Sequence, residues 1–216
     1  MDEPLVAQHP LALQLMYETH HDFVESKQAA ACPRLLPRKG QRLGRGPALA
    51  FTRAADCYDT TGDGGALLRG GAALGAGVLF AVCAGHRMAT GRHAVEFTLG
   101  TDIEPVQAPL HSLVGVARPE HQPETPPKLQ LDFWGVHCSG QSFERGIRAA
   151  WDGQQRFGPG DVVGLLLDCD AGTLTAKKNR TQLGVAVTGL SGGLCWGVSM
   201  YEKDAVRIAV ADAAKF

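Results

Sequence analysis

The sequence predicts an all-β fold: two antiparallel sheets packed into a sandwich, with a short N-terminal helix ahead of them. Three observations predict it. From residue 47 onward, short apolar runs alternate with turn residues. Several runs alternate strictly, with Val95, Phe97 and Leu99 on one face and Glu96 and Thr98 on the other, and with Val206, Ile208 and Val210 set against Arg207. The chain also holds 27 glycines and 12 prolines in 216 residues, too much punctuation for a helical bundle.

In chain order, residues 1–46 read as a helix and a basic linker, and residues 47–216 as the sandwich domain. Pro10 suits a helix start, and Leu11 with Leu15 and Met16 with Phe23 give residues 11–30 a weak helical period. Pro33, Pro37, Gly40, Gly44 and Gly46 break the pattern, and Arg34, Arg38, Lys39, Arg42 and Arg45 read as a solvated basic linker. Strands are predicted at 47–53, 76–83, 92–99, 112–117, 129–137, 161–168, 173–178, 184–188, 194–200 and 205–211. Each is expected to bury one face and wet the other. The exception is Val162 to Leu167, an apolar run that predicts an interior strand covered on both sides. Gly62 to Gly77 reads as turns between strands. Trp196 alternates with Leu194, Val198 and Met200 and is expected in the core.

Charge and motifs exclude several functions. Lys+Arg is 21 against Asp+Glu 22, a net charge of -1, so there is no overall basic field for a nucleic acid. No apolar run is long enough to span a membrane, and Met1-Asp2-Glu3-Pro4 does not begin a secretory signal. The expected location is the cytoplasm, with the nucleus as the alternative. Cys32, Cys57, Cys83, Cys138, Cys169 and Cys195 are scattered, which predicts reduced thiols and no zinc site. The sequon Asn179-Arg180-Thr181 is idle in such a compartment.

Gly189-Leu190-Ser191-Gly192-Gly193 matches a nucleophile elbow, but a strand is predicted after it where the motif needs a helix, and no histidine follows. Asp59-Thr60-Thr61-Gly62-Asp63-Gly64 begins like a calcium loop, but its twelfth position is Gly70 instead of glutamate. Asp168 and Asp170 read as builders of a tight turn closed by Gly172. No enzyme, metal or cofactor is predicted.

The order of these elements resembles the SPRY domain family. Gly91-Arg92-His93-Ala94-Val95-Glu96-Phe97 is similar to the family's glycine-led strand, and Leu113-Val114-Gly115-Val116-Ala117-Arg118 to its "VGVAR" strand. Trp134-Gly135 falls where the family places a tryptophan after a variable loop. The longest match runs from Phe157 through Gly160-Asp161, Asp168, Asp170 and Gly172 to Leu174, continuing at Lys178-Asn179 and Leu183-Gly184. Leu194 to Ser199 resembles the family's late serine strand. Two departures stand out. The usual Asn-Gly turn is Asn179-Arg180, which predicts a longer turn or one of another type, and Ala176 and Lys177 replace aromatics, which predicts thinner packing. The motif of a preceding PRY segment is absent.

The resemblance implies a concanavalin-like jelly roll and a non-enzymatic protein-interaction module. It would grip a peptide or protein surface through loops at one end, as an adaptor or as a substrate-recognition subunit, for example of a ubiquitin ligase supplied by a partner. The candidate loops are 84–91, 118–128, 138–157 and 201–204. The candidate contacts are Arg118, Glu120, His121, Tyr201, Glu202 and Lys203, with Tyr201 as the interfacial anchor. The alternative from another class is a lectin-like carbohydrate-binding sandwich.

Overall fold

A computed structural model describes residues 49–56, 58–60, 62–70, 79–100, 112–121, 132–200 and 205–216. The expected helix in 11–30 and the basic linker lie outside the described residues. So do Tyr201, Glu202 and Lys203.

The strands in chain order are β1 (Arg53–Ala54), β2 (Tyr58–Asp59), β3 (Leu67–Gly70), β4 (Leu79–Val82), β5 (Arg92–Leu99), β6 (Leu113–Ala117), β7 (Phe133–His137), β8 (Ser142–Glu144), β9 (Ile147–Ala149), β10 (Val162–Asp168), β11 (Thr173–Lys178), β12 (Thr181–Val187), β13 (Cys195–Met200) and β14 (Ala205–Val210). Among the described residues they form two sheets of seven, all pairs antiparallel. The first runs β1-β4-β13-β6-β7-β8-β9 and the second β12-β11-β10-β5-β14-β3-β2. The two-sheet antiparallel sandwich is therefore as expected.

Between the sheets lies one apolar core. Val95, Phe97 and Leu99 of β5, Val163, Leu165 and Leu167 of β10, and Trp196, Val198 and Met200 of β13 all point into it. Trp196 is 1% exposed and meets the Phe97 ring edge-on, with centroids 6.5 Å apart. The interior strand β10 sits between β5 and β11 as predicted.

Four expectations need correction. The region 138–157 is not all loop, because β8 and β9 form a hairpin closed by Arg145 and Gly146, both at positive φ. The glycine run contains β3 after a short 3-10 turn at Gly62–Gly65, and Asp63 of that turn is paired with Arg207. The β11–β12 turn keeps two residues: Lys178 pairs with Thr181, and Asn179 and Arg180 take φ of 47° and 74°. Thinner packing at Ala176 and Lys177 is also not found. Ala176 is buried in the core. The Lys177 stem lies across Gly164, where a Cβ would come within 2.3 Å of it, and its ammonium pairs with Glu96 at 3.0 Å and sits 4.2 Å from the Phe216 ring centre.

A fifth difference concerns the wet face. The outer side of the first sheet carries its own apolar layer, of Phe80, Val82, Leu113, Ala117, Phe133, Phe143 and Cys195, all buried. Its rings form a chain, His121 to Phe80 to Phe133 to Phe143, with centroid separations of 5.0, 4.9 and 6.2 Å. Beneath it Gly197, Gly115 and Gly135 lie opposite one another across β13, β6 and β7. A Cβ on Gly197 would reach within 3.0 Å of the Phe133 ring, so the glycine leaves room for that ring to lie on the sheet.

Candidate functional site

Three described segments meet at one end of the sandwich, whereas the expected loop 138–157 leaves β7 at the other end, where His137 pairs with Leu113. Arg118 follows β6, whose last residue Ala117 faces Cys195, the first of β13. Loop 84–91 reaches the same place through Met88, which exchanges backbone bonds with Leu194 at 2.7 and 2.8 Å. The turn Asp168–Gly172 closes the second sheet there, where Asp170 Oδ1 accepts from the Gly91 amide and the Leu190 amide donates to Gly172 O.

Arg118 is the organising side chain. Its Nη1 donates to Ser191 O at 2.5 Å and to Gly193 O at 3.3 Å, and its guanidinium lies 5.4 Å from the Trp134 ring centre. A Cβ on Gly192 would meet Arg118 Nη1 at 2.7 Å, and Gly192 takes φ of 71°, so glycine is needed here twice over. Arg87 lies over neighbouring Gly193, and its Nη1 stands 3.5 Å from Glu120 Oε1. Both members of that pair are largely exposed, at 61% and 71%, so it adds little stability and both groups stay available to a partner.

The segment bearing these groups is fixed from below. Arg53 Nη1 donates to Pro119 O at 3.1 Å and to His121 O at 3.4 Å, and the His121 amide closes a turn on Arg118 O. His121 is itself buried, packed edge-on against Phe80, and its Nε2 has no hydrogen-bond partner. Burial holds its pKa below the ordinary histidine value; Asp132 opposes that effect and Arg53 adds to it. Its ring is thus a support under the rim and offers no atom to a ligand.

Of the six predicted contacts, Arg118, Glu120 and His121 are among the described residues, and Tyr201, Glu202 and Lys203 lie outside them. Arg118, Glu120 and the His121 backbone belong to the end just described. The strands flanking 201–204 stop at Met200 and restart at Ala205, the opposite end of β13 from Cys195. Sequence reasoning overlooked Arg87, Arg53 and Trp134 as partners of Arg118. It also overlooked Tyr58, whose hydroxyl donates to Met200 O at 2.7 Å and accepts from Met200 N at 3.3 Å, tying the second sheet to the first at the Met200 end of β13. Only register puts these residues together.

The tight turn at Asp168–Gly172 forms as expected. Asp168 Oδ1 accepts from the amides of Asp170 and Ala171 at 3.1 and 2.8 Å, and Gly172 takes φ of 64°. The residues after Ser191 form strand β13. His86 and His93 meet ring to ring at 6.1 Å, and burial together with His93 lowers the His86 pKa. Among the described residues no group of His, Cys, Asp and Glu could hold a metal ion, and no helix is long and apolar enough to cross a membrane.

The SPRY domain family matches residues 96–212 of the chain. This chain belongs to the SPRY domain family. SPRY domains are protein-interaction modules, generally non-catalytic. Solved SPRY structures share the fold. The SPRY domain of human HERC1 is 19% identical with a TM-score of 0.62, covering 75% of this chain and 97% of its own. The TRIM65 PSpry domain is 13% identical at 0.54, covering 76% and 87%. A further human SPRY domain is 16% identical at 0.51, covering 70% and 94%. No curated protein sequence matches the chain.

Proposed function

We propose that this SPRY domain binds a protein partner through the rim of Arg87, Arg118 and Glu120, acting as an adaptor or substrate-recognition subunit whose catalytic component, such as a ubiquitin ligase, is another chain. One observation supports this reading above the rest. The Arg118 guanidinium is already immobilised by two carbonyls and the Trp134 face, while Arg87 and Glu120 stand exposed on either side. Groups held in place before binding lose little freedom on binding, so the rim starts with a small ordering cost. Tyr201, Glu202 and Lys203 remain a proposed second contact.

The test is quantitative co-purification of proteins from a lysate with the immobilised chain, followed by affinity measurement on the partner identified. Arg118→Ala and Glu120→Lys are expected to weaken that partner at least tenfold, which is about 1.4 kcal/mol. Unchanged binding by both variants would overturn the rim. Loss of binding in Tyr201→Ala or Lys203→Glu alone would move the contact to residues 201–204. Glycan-array binding with no protein partner would replace the reading by the lectin one.

A further inference from the structure

The turn between β11 and β12 places an arginine where the backbone favours glycine. Both central residues have positive φ, 47° at Asn179 and 74° at Arg180, the two-residue turn that favours Asn-Gly. Asn179 is well matched to its position. Its Oδ1 accepts from the Val162 amide at 2.8 Å and its Nδ2 donates to Asp161 Oδ1 at 2.5 Å. Arg180 has no comparable local role, and a side chain at such φ is strained.

The surroundings show what its charge is not for. The nearby acid is Asp161, already engaged by the Gly158 amide at 2.7 Å, by Asn179 and by Lys178 Nζ at 3.1 Å. Burial opposes its ionisation, but these partners together hold its carboxyl below the usual aspartate value. Lys178 Nζ also donates to Arg156 O at 2.8 Å, which brings the backbone of residue 156 beside the turn. Lys178 and Asp161 thus neutralise each other. Among the described residues the exposed guanidinium groups of Arg156 and Arg180 have no acidic partner. Arg180 sits in the turn next to this neutral pair, and the Arg156 backbone is bonded to it through Lys178.

We propose that Arg180 and Arg156 form a docking surface for an acidic peptide, whose carboxylates the two guanidinium groups receive. Guanidinium is suited to carboxylate in geometry as well as charge. A strained arginine at an exposed tip contributes nothing to the fold that glycine would not supply better, so its use lies outside the fold. This surface is separate from the rim around Arg118 and does not depend on it. Strand β10 begins at Val162 beside Asn179 and ends at Asp168, in the turn that meets the rim.

The experiment uses the full 216-residue chain and a fluorescein-labelled hexaglutamate peptide, with the hexaglutamine peptide as control. Polarisation is expected to report glutamate-dependent binding that weakens as salt rises. Arg180→Gly is expected to weaken it about tenfold while raising the melting temperature by about 2–4 °C. Arg156→Ala is expected to weaken binding with no change in melting temperature. Opposite signs for stability and binding in Arg180→Gly are what a purely structural arginine would not give. Unchanged hexaglutamate affinity in both variants, equal binding of hexaglutamine, or preference for a single-stranded oligonucleotide would each overturn the proposal.

Discussion

The two apolar layers of this SPRY domain share the first sheet as a wall but are built differently. The inner layer, around Trp196, Phe97 and Leu165, is closed by both sheets, and the Tyr58 hydroxyl at its border is satisfied by Met200. The outer layer, around Phe80, Phe133 and Phe143, has one sheet beneath it and ends in polar groups. At its edge stands His121, with Nε2 buried and unpartnered, and on the same outer face lies Ser199, fully buried with its hydroxyl unpartnered. A buried polar atom without a partner costs free energy that an apolar atom does not. The inner layer therefore reads as the main source of stability, and the outer one as a compromise between burial and support of the rim.

The largest expected effect compares the layers directly. Trp196→Ala and Phe133→Ala are each expected to lose about 3–5 kcal/mol in urea unfolding, since both rings are fully buried. A loss below about 1 kcal/mol for Phe133→Ala alone would make the outer layer peripheral. Next comes acid. His121 has a lowered pKa in the folded state, so the unfolded chain binds its proton more readily, and folding stability is expected to fall as pH drops below about 6.5 toward the folded-state pKa. His121→Phe should flatten that part of the stability profile, measured by thermal unfolding at a series of pH values, while Trp196→Ala should leave its slope unchanged. The smallest effect is a gain. Ser199→Ala removes the unpartnered hydroxyl and is expected to add about 1 kcal/mol. A loss instead would mean that the hydroxyl is satisfied in solution.

The same contrast explains what could be read from sequence. The inner layer is legible because alternation in β5 and β14 marks one face apolar, because β10 is a continuous apolar run, and because the hairpin from Phe157 to Leu174 carries its turns at Gly160 and Gly172. The outer layer was hidden. In β6, β7 and β13 the outward positions include Gly115, Gly135, Gly197 and Ser199, which read as a wet face. Their burial comes from rings that pack across strands, and sequence order does not show such neighbours. The site was legible in part. Arg118 and Glu120 of the candidate site stand out in the sequence by their place at a strand end. Arg87 was missed because its relation to Gly193 exists only through the Met88–Leu194 pairing. The polarity of His121 stands out locally and suggests a contact, whereas its burial against Phe80 is a long-range fact. Arg180 was noticed, but the expected relief of strain by a longer turn does not occur, because Asn179 and Asp161 anchor the short one.

The cysteines give this domain a built-in reporter of its own opening. Cys83 points into the inner layer and Cys195 into the outer, and both are fully enclosed. Burial, then the neighbouring Cys195, raises the Cys83 thiol far above its usual range; burial, then Glu120, pushes Cys195 up to about 12, with Arg53 opposing. Only thiolate reacts with an alkylating reagent, so neither sulfur is a chemical target while its layer is shut. Each can be labelled only during a moment of exposure, and the two labelling rates would time the opening of the two layers separately, one clock on each face of the same sheet.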